Sequence, residues 1–395
     1  MALALQAITL AQQYILSWLH PVPSKSPSAL RLGVLSSADI NPAVVIRPSQ
    51  THPDVILYGI ATRDLPTAQK AARHYGFRRA YGCYQDLLDD PTIDIVHLST
   101  PNSTHFELAT RAILKGKHVL CEMPFTSNAE EARQLVEMSK VRGVIVEEAF
   151  HWQFHPSAHL FRVILSSGKY GRILRTDATI TTSPGIPGIR WEFDLAGGSA
   201  LDLTYALSFT RFAIRAGFPR EIQSAVVRPS KKDHRVDEAL YALLLFEDPK
   251  GHLVHSRIYT DMARSWAGAV IPRIWELPSI EVETEKAIIY FYNAMMPHVY
   301  HFIAITEKAT GDTHYCKQYC AGPLWGNAMT TGGKGGKSYW STYRWQLEAF
   351  VDAVRGEALA YWIPSEESII QMETIDAIYR AAELPVRLFE GLKEL

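Results

Sequence analysis

The sequence predicts an α/β domain with a doubly wound parallel sheet, followed by an open, mostly antiparallel β-sheet domain with helices. Up to Phe150, short continuous apolar runs alternate with helical stretches, which is typical of parallel strands covered on both faces. Beyond that residue the runs are longer and several alternate with polar residues, which favours antiparallel strands with one buried face. The chain has 395 residues, and one hydrophobic core rarely grows past about 250–300 residues, so we expect two domains.

The first predicted domain, residues 31–150, contains five apolar runs that we interpret as strands. They are Leu32–Leu35, Val55–Ala61, Ile93–Ser99, His118–Cys121 and Val144–Glu147. Capping residues mark the helices between them. Asn41 before Pro42 predicts a helix start, with Asn41 as the cap. Ser127 and Asn128 each stand three residues before a glutamate, which is the spacing of a capping box.

The second predicted domain comprises residues 151–395. We interpret four runs in it as strands, namely Ile173–Thr182, Ala239–Phe246, His252–Thr260 and Ala287–Tyr292. Amphipathic helices at about Thr342–Arg355 and Glu366–Ala382 close the chain, after a flexible loop at Gly332–Gly336. Residues 1–30 are interpreted as a leading helix with an apolar stripe and a Pro-rich linker, packed on this protein or on a partner subunit.

Composition excludes several classes of function. Forty Lys and Arg against 41 Asp and Glu give a net charge of −1, whereas a nucleic-acid-binding protein usually has a basic excess. Four cysteines are too few for a disulfide framework, and Cys316 and Cys320 lack the second pair of a zinc site. Residues 1–24 carry no charged side chain of the Lys, Arg, Asp or Glu type, so they lack the basic region of a signal peptide. We therefore expect a cytoplasmic protein with no metal, no nucleic-acid partner and no membrane contact.

The turn after the first strand is where a doubly wound domain binds a dinucleotide pyrophosphate. Here the turn runs from Ser36 through Ser37, Ala38 and Asp39 to Asn41, where a G-x-G-x-x-G/A pattern would be expected. Ser36 replaces the glycine of the tight turn, and Ala38 adds a methyl group where the backbone should approach phosphate. The helix N-terminus behind the turn still attracts anions. The sequence therefore predicts weakened rather than abolished cofactor binding.

The end of the second strand indicates which dinucleotide would bind. An acidic residue there would hold the ribose diol of NAD, whereas an arginine can pair with the 2′-phosphate of NADP. The strand is followed by Thr62, Arg63 and Asp64. Arg63 therefore favours NADP, with a solvated surface arginine as the alternative interpretation.

Seven segments match, in order along the chain, the motifs of one known family. They are Gly33–Pro42, Thr62–Asp64, Thr100–His105, Glu122–Pro124, Glu148–His151 with His155 and Pro156, Ala196–Gly198 with Asp202, and Ser341–Phe350. On these residues the chain is identified as a member of the Gfo/Idh/MocA oxidoreductases, and it most resembles the fungal NADP-dependent D-xylose dehydrogenases and the dimeric dihydrodiol dehydrogenases. The resemblance implies a Rossmann domain, a possible NADP cofactor and a homodimer through the C-terminal sheet.

The resemblance also implies a set of cofactor-binding residues. Pro101, Asn102 and His105 match the loop that approaches the nicotinamide ribose, and Glu122 matches the acid of the family's Glu-Lys-Pro motif. With the first turn and the end of the second strand, the expected cofactor-binding residues are Ser36, Ser37, Ala38, Arg63, Pro101, Asn102, His105 and Glu122.

Two proton-handling positions of the family carry other residues in this chain. Met123 stands where relatives have the lysine that handles the substrate hydroxyl proton. Ala206 stands at the proton-donor position of the segment that begins at Asp202, and Gln153 stands where an arginine is expected. A thioether and a methyl group have no proton to exchange, so two groups of one centre are lost together. Tyr205, one residue earlier, is a candidate replacement.

The residues expected around this centre are largely apolar and aromatic. We expect catalytic roles for Asp202, Tyr205 and His151. The expected substrate pocket consists of Met123, Phe125, Phe150, Trp152, His155 and Trp191. Each buried unpaired polar group of a sugar would cost about 1–3 kcal/mol. A bulky, mostly hydrocarbon ligand therefore suits this lining better than a polyhydroxylated sugar.

Three functions remain open on this reasoning. The first is a non-redox step on a bulky apolar intermediate of secondary metabolism, such as a Diels-Alder cycloaddition, a cyclisation or an isomerisation, which needs orientation and no hydride. The second is an NADP-dependent dehydrogenase or reductase of a sugar, dihydrodiol or similar alcohol. The third is a catalytically silent protein that binds NADP or a metabolite. The losses at Met123 and Ala206 favour the first hypothesis.

Overall fold

The computed structural model describes residues 8, 11–12, 15, 19, 22–184, 188–268, 271, 273, 275–324 and 336–388. Most of the predicted leading helix and most of the glycine loop at 332–336 lie outside these residues. The chain divides into two compact units. One, here called the Rossmann unit, comprises Gln6–Phe154 and Tyr339–Ser368. The other, here called the sheet unit, comprises His155–Ser338 and Ile369–Leu388.

The Rossmann unit is built on a six-stranded parallel sheet in the order β3-β2-β1-β4-β5-β6. The strands are β1 Leu30–Leu35, β2 Val55–Ala61, β3 Arg79–Tyr81, β4 Ile95–Leu98, β5 His118–Cys121 and β6 Val146–Glu148. The order reverses between β1 and β4. In doubly wound sheets this switch point opens the crevice that binds ligands at the carboxyl ends of the strands.

Helices connect the strands of this unit. After the helical turn Pro42–Ile46 they are α1 Arg47–Gln50, α2 Leu65–Tyr75, α3 Tyr84–Asp89, α4 His105–Leu114 and α5 Ala129–Arg142. The predicted capping box of α5 is confirmed, because Asn128 accepts from the amide of Glu131 and Glu131 accepts from the amide of Ser127. The helix start predicted at Asn41 and Pro42 is confirmed, but the Asn41 side chain does not cap the helix. Its side-chain amide donates to the carbonyl of Ser36 at 2.9 Å and makes no cap bond.

The sheet unit contains a mixed, mostly antiparallel sheet of eight strands, in the order β14-β13-β12-β11-β7-β10-β9-β8. The strands are β7 Ile173–Thr181, β8 Glu221–Pro229, β9 Asp237–Glu247, β10 Leu253–Asp261, β11 Ser279–Thr284, β12 Ala287–Tyr292, β13 Phe302–Glu307 and β14 Thr313–Cys316. Only β7 and β10 pair in parallel among these described strands. The two-part fold class predicted from the sequence is confirmed.

The remaining helices are distributed over the two units. They are α6 Pro156–Ser166, α7 Ser199–Asp202, α8 Tyr205–Ile214, α9 Thr342–Val354 and α10 Ser365–Ala381. Helix α8 is buried along its whole length, including its polar residues Ser208, Thr210 and Arg211. Helix α9 belongs to the Rossmann unit although it lies late in the sequence. Within the described residues no helix is both long and apolar enough to span a membrane.

Candidate functional site

The turn after β1 keeps the backbone path of a glycine turn although it contains none. Ser36 has a φ of 102°, a left-handed conformation that a residue with a side chain rarely adopts. Its hydroxyl compensates by bonding the carbonyl of Ser99 at 2.7 Å, beyond the end of β4. The two strand ends that flank the switch point, where ligands of such sheets bind, are thereby tied together.

The same serine limits how firmly this turn can hold a pyrophosphate. The amide of Ala38 donates to the Ser36 hydroxyl at 3.2 Å, so one amide of the turn is already engaged. The exposed Asp39 places a carboxylate next to it, which would repel phosphate. The residues present therefore fit a dinucleotide whose pyrophosphate is held more loosely than in a glycine-rich turn.

Two charged residues, Arg63 and Asp64, follow β2 and have different roles. The carboxylate of Asp64 accepts from the amide of Thr67 at 2.8 Å and caps α2. This bond lowers the pKa of Asp64 and commits the carboxylate to the helix. Arg63 is exposed beside it. An anion is therefore the group that this strand end can bind.

Buried polar groups fix the loops after β4 and β5. His105 is fully buried, and its two ring nitrogens contact the carbonyls of Pro124 at 2.8 Å and Thr100 at 3.1 Å. The amide of Phe125 donates to Glu148 at 3.0 Å. His105 thus lies behind the two loops and positions them, while Pro101 and Asn102 are half-buried on the loop surface.

The residues after β5 form a small polar cluster within the Rossmann unit, consisting of Glu122, His97 and Tyr343. Glu122 is 9% exposed, and its Oε1 lies 3.6 Å from Nε2 of His97 on β4. Burial, helped by nearby His105, lowers the pKa of His97 to about 3, so the imidazole is neutral. Burial and then the charge of Glu122 raise the pKa of Tyr343 well above its ordinary range. Met123 stands beside this cluster and is half-buried.

His151, one of the predicted catalytic residues, packs into the same unit as part of its interior. Its Nδ1 lies 2.8 Å from the Thr342 hydroxyl, and its ring lies 4.0 Å from that of Tyr343. Gln153, in the place of an expected arginine, accepts from the Tyr361 hydroxyl at 2.6 Å. Both contacts tie the segment after β6 to residues of the Rossmann unit that lie about 200 positions later.

The predicted aromatic pocket is largely interior. Phe125, Phe150 and Trp152 are at most 3% exposed, because they fill the core of the Rossmann unit. His155 is fully buried in the sheet unit, where it caps α6 by accepting from the amide of Ser157. Of the predicted pocket residues, Met123 and Trp191 keep partial exposure. The structure thus offers a ligand fewer aromatic surfaces than the sequence predicts.

In the sheet unit, the carboxylate of Asp202 forms an ion pair with Arg190. Its Oδ1 lies 2.5 Å from Nη1 of Arg190, whose side chain is 40% exposed. A guanidinium at this distance favours the ionised carboxylate. Tyr205 begins α8 and is 6% exposed, and Ala206 is fully buried. The structure therefore places Asp202 and Tyr205 in one unit and His151 in the other.

A buried network fixes the short helix that carries Asp202. Asp237, at the start of β9, accepts from the Ser199 hydroxyl at 2.7 Å and from the amide of Ala200 at 2.7 Å. Tyr379 donates to its other oxygen at 2.8 Å, and Gly198 has a φ of 134°. A Cβ at Gly198 would lie 2.2 Å from Asp237, so only glycine fits there.

Four of these residues were missed by sequence reasoning, namely His97, Tyr343, Arg190 and Asp237. Each of them lies in or next to a segment that the sequence analysis discussed. The residue that each one contacts, however, is remote in sequence. Glu122 and Tyr343, for example, are 221 positions apart. A titratable residue inside an apolar run, such as His97, or next to one, such as Asp237, is the one signal that could have found them.

Comparison with known proteins places this fold among oxidoreductases. Residues 33–150 match the family GFO_IDH_MocA, described as an oxidoreductase family with an NAD-binding Rossmann fold. D-xylose 1-dehydrogenase (NADP(+)) 2 of Haloferax volcanii is 28% identical over 359 residues, 90% of this chain and 98% of that protein. An uncharacterized oxidoreductase of Rhizobium meliloti is 30% identical over 236 residues, which cover 59% of this chain and 69% of the relative.

A solved structure shares the fold across both units. It is KijD10, a 3-ketoreductase from Actinomadura kijaniata, in complex with TDP-benzene and NADP. The TM-score is 0.70 at 22% identity, over 88% of this chain and 96% of that protein. At this level of identity the likeness concerns the fold.

Proposed function

Because the chain belongs to the GFO_IDH_MocA oxidoreductase family, with its NAD-binding Rossmann fold, we propose that it is an NADP-dependent oxidoreductase. Its substrate would be a sugar, a dihydrodiol or a similar alcohol or carbonyl compound. One observation carries the proposal. Ser36 adopts the strained conformation of the missing glycine, with a φ of 102°. Such strain is retained where the surrounding structure and the function require it.

The Rossmann unit supplies the proposed cofactor contacts. Arg63 would pair with the 2′-phosphate, because a guanidinium matches the geometry of a phosphate. The turn at Ser36 would face the pyrophosphate, and Asn102 the nicotinamide ribose. NADP, when bound, supplies the hydride acceptor or donor. The rest of the chemistry, binding the substrate and moving its proton, belongs to the side chains.

The sheet unit supplies the proposed substrate contacts. Asp202, ionised beside Arg190, is suited to accept a hydrogen bond from a substrate hydroxyl. The names of the relatives, a D-xylose dehydrogenase and a 3-ketoreductase, support a hydroxyl or carbonyl group as the reacting centre. Interior packing of Phe125, Phe150 and Trp152 removes much of the reason to expect a purely hydrocarbon ligand.

The test is a fluorescence titration of the purified protein with NADPH and with NADH, followed by turnover assays on a panel of aldoses, cyclic diols and ketones. We expect tighter binding of NADPH than of NADH and steady turnover with at least one compound. Failure to bind either nucleotide would remove the proposal.

A second candidate function rests on a separate observation. Met123 and the fully buried Ala206 leave both expected proton-handling positions without an exchangeable proton. This favours a non-redox step, such as a cycloaddition, cyclisation or isomerisation of an apolar intermediate. Tight NADPH binding without turnover, together with cofactor-independent conversion of such an intermediate, would favour this candidate. Binding without any conversion would favour a silent NADP-binding protein.

We also propose a homodimer through the open face of the eight-stranded sheet. On β12 to β14 this face carries the cross-strand aromatic pair Tyr292 and Phe302, whose rings stack at 4.9 Å, and the exposed Tyr315. The neighbouring strands carry both signs of charge, for example Arg175 and Glu283, so two identical faces would not repel each other. Sedimentation of the protein and of Phe302→Glu tests this, and a monomeric parent protein would contradict it.

A further inference from the structure

We infer that a cavity at the amino-terminal edge of the Rossmann sheet binds a phosphate group, either free or carried by a small metabolite. The cavity has a volume of about 460 Å³, which lies within the range of small-molecule sites. Its polar lining consists of Lys25, Ser26, Ser28, Arg31, Arg78 and Asp94. The inference goes beyond the proposed function and does not depend on it.

The cavity lies at the opposite edge of the sheet from the proposed cofactor site. Arg31 is the second residue of β1, Ile56 is the second residue of β2, and Asp94 directly precedes β4. Because these strands are parallel, all three positions lie at amino ends, whereas Ser36 follows the carboxyl end of β1. A strand of six residues at about 3.3 Å each separates the two edges by roughly 20 Å. The cavity is therefore a separate site.

One wall of the cavity is the linker that precedes β1, and this wall is fixed to the rest of the unit. The Lys25 ammonium donates to three backbone carbonyls between Ser49 and His52, at distances of 2.7, 3.0 and 2.7 Å. The amide of Ser26 donates to the carbonyl of Pro53 at 2.9 Å. A ligand would therefore meet a preformed wall, which favours binding because little of the chain has to be ordered.

The two arginines of the cavity retain donors for a ligand. The Arg78 side chain is exposed and makes no ion pair or hydrogen bond within the described part of the chain. The Nε of Arg31 lies 3.7 Å from the Asp94 carboxylate, which is beyond hydrogen-bond distance. That carboxylate accepts instead from the backbone amide of Arg31 at 2.7 Å. Both guanidinium groups can therefore donate to an oxyanion, for which their planar geometry is suited.

The two serines of the linker add a hydroxyl donor to the cavity. The Oγ atoms of Ser26 and Ser28 lie 3.1 Å apart, so one hydroxyl donates to the other. The amide of Ser28 donates to the Oγ of Ser26 at 3.3 Å. One of the two O–H groups is thus left to donate to a ligand. Arginine and serine side chains are common donors to phosphate oxygens.

The charge of the lining favours phosphate over a carboxylate ligand. Three cations and one carboxylate line the cavity, which leaves a net charge of +2. A phosphate monoester carries a charge of about −1.5 to −2 at pH 7 and therefore matches this lining, whereas a carboxylate carries a single charge. Ile56 supplies an apolar surface for the organic part of such an ester.

The test is isothermal titration calorimetry of the full chain at pH 7 and constant ionic strength, with inorganic phosphate, glycerol 3-phosphate and acetate in turn. We expect both phosphate compounds to bind with a Kd of about 1 mM or lower, and acetate to bind at least about tenfold more weakly. Tighter binding of glycerol 3-phosphate would identify a phosphorylated metabolite as the ligand. Equal or tighter binding of inorganic phosphate would identify free phosphate.

Two variants of the lining should change this affinity in opposite directions. Arg78→Gln should weaken phosphate binding at least about tenfold, because a charged donor is lost. Asp94→Asn can still accept from the amide of Arg31, and it should strengthen binding about threefold, because a carboxylate that repels phosphate is lost.

Two controls separate this cavity from other cationic groups of the unit. Arg73→Gln removes an exposed arginine of α2 outside the lining and should leave the phosphate affinity unchanged. Arg63→Ala should leave it unchanged as well. A loss in Arg63→Ala would place the phosphate at the proposed cofactor site and overturn the inference.

Two further results would overturn it, namely no phosphate binding by the parent protein or equal affinities of the parent and Arg78→Gln. NADPH should bind to Arg78→Gln as it does to the parent. A parent that binds phosphate in this cavity but binds no NADPH would overturn the proposed function and leave the inference standing.

Discussion

The Rossmann unit and the sheet unit differ in where their buried polar groups are used. In the Rossmann unit, His105, Glu148 and Ser36 hold loops at one edge of the sheet. In the sheet unit, Asp237 is buried in the interior, where it accepts a hydrogen bond from the short helix that carries Asp202. The first unit uses its buried polar groups to hold loops at the edge of the sheet where ligands of such folds bind, whereas the second uses them to fix its own framework.

The largest expected effect is on the stability of the sheet unit. Asp237→Ala removes a fully buried carboxylate and leaves Arg387 without its charge partner, so we expect a loss of about 3–5 kcal/mol in the free energy of unfolding. Urea denaturation measures it. Asp233, whose side chain is 22% exposed and pairs with the exposed Arg235, is the control, and Asp233→Ala should cost much less. Equal losses in both variants would show that the network is not an anchor.

In the Rossmann unit the largest effect concerns the cofactor. Arg63→Ala should weaken NADPH binding about 10–100-fold, because a charge-assisted bond to phosphate is worth about 1.5–3 kcal/mol. NADH, which lacks the 2′-phosphate, should bind as it does to the parent protein. Fluorescence titration with both nucleotides checks this, and an equal loss for both would place Arg63 outside the 2′-phosphate site.

Acid should destabilise both units through buried histidines. Burial lowers the pKa of His301 to about 4 in the sheet unit and that of His97 to about 3 in the Rossmann unit. The ordinary value is 6.5, so below that pH the unfolded chain binds more protons, and stability falls as the pH falls.

His301→Gln tests this in one unit. Between pH 6.5 and about 4, each such histidine contributes a slope of up to about 1.4 kcal/mol per pH unit, which the variant should remove. Urea denaturation at several pH values measures the slope. The exposed His234 supplies the matched control, and a slope unchanged by His301→Gln would contradict the burial argument.

The smallest expected effect is on NADPH affinity and concerns the turn after β1. Ser36→Gly relieves the left-handed conformation and frees the amide of Ala38 for phosphate. We expect NADPH to bind about 3–10-fold more tightly, as one added hydrogen bond to a charged group would allow. Weaker binding in this variant would mean that the tie between Ser36 and Ser99 matters more than the amide.

The sequence predicted the strands that continuous apolar runs define, and three of them, Val55–Ala61, His118–Cys121 and Ala287–Tyr292, have the predicted bounds. It did not identify β3, β8, β11, β13 and β14. For β3 and β14 the reason is that three or four residues show no period. It also could not show that His151 bonds Thr342, since tertiary contacts between remote positions leave no local pattern. Both predicted helix starts are confirmed, but the Asn128 side chain caps its helix, whereas the Asn41 side chain bonds Ser36 instead.

The individual site residues were also predicted with unequal success. Residues at motif positions, such as Arg63 and Met123, could be identified from the sequence alone. Both are at least partly exposed in the structure. Aromatic residues next to motifs were harder to interpret. Phe125 and Trp152 are apolar enough for either a pocket or a core, and the sequence contains no information on which side of the loop each ring packs.

We propose that this chain performs hydride chemistry with NADP although Met123 and Ala206 carry no exchangeable proton. The most direct measurement is the steady-state oxidation or formation of NADPH by the purified parent protein on aldoses, cyclic diols and ketones. We expect sustained turnover with at least one of these compounds. NADPH binding with no turnover on any of these compounds would contradict it.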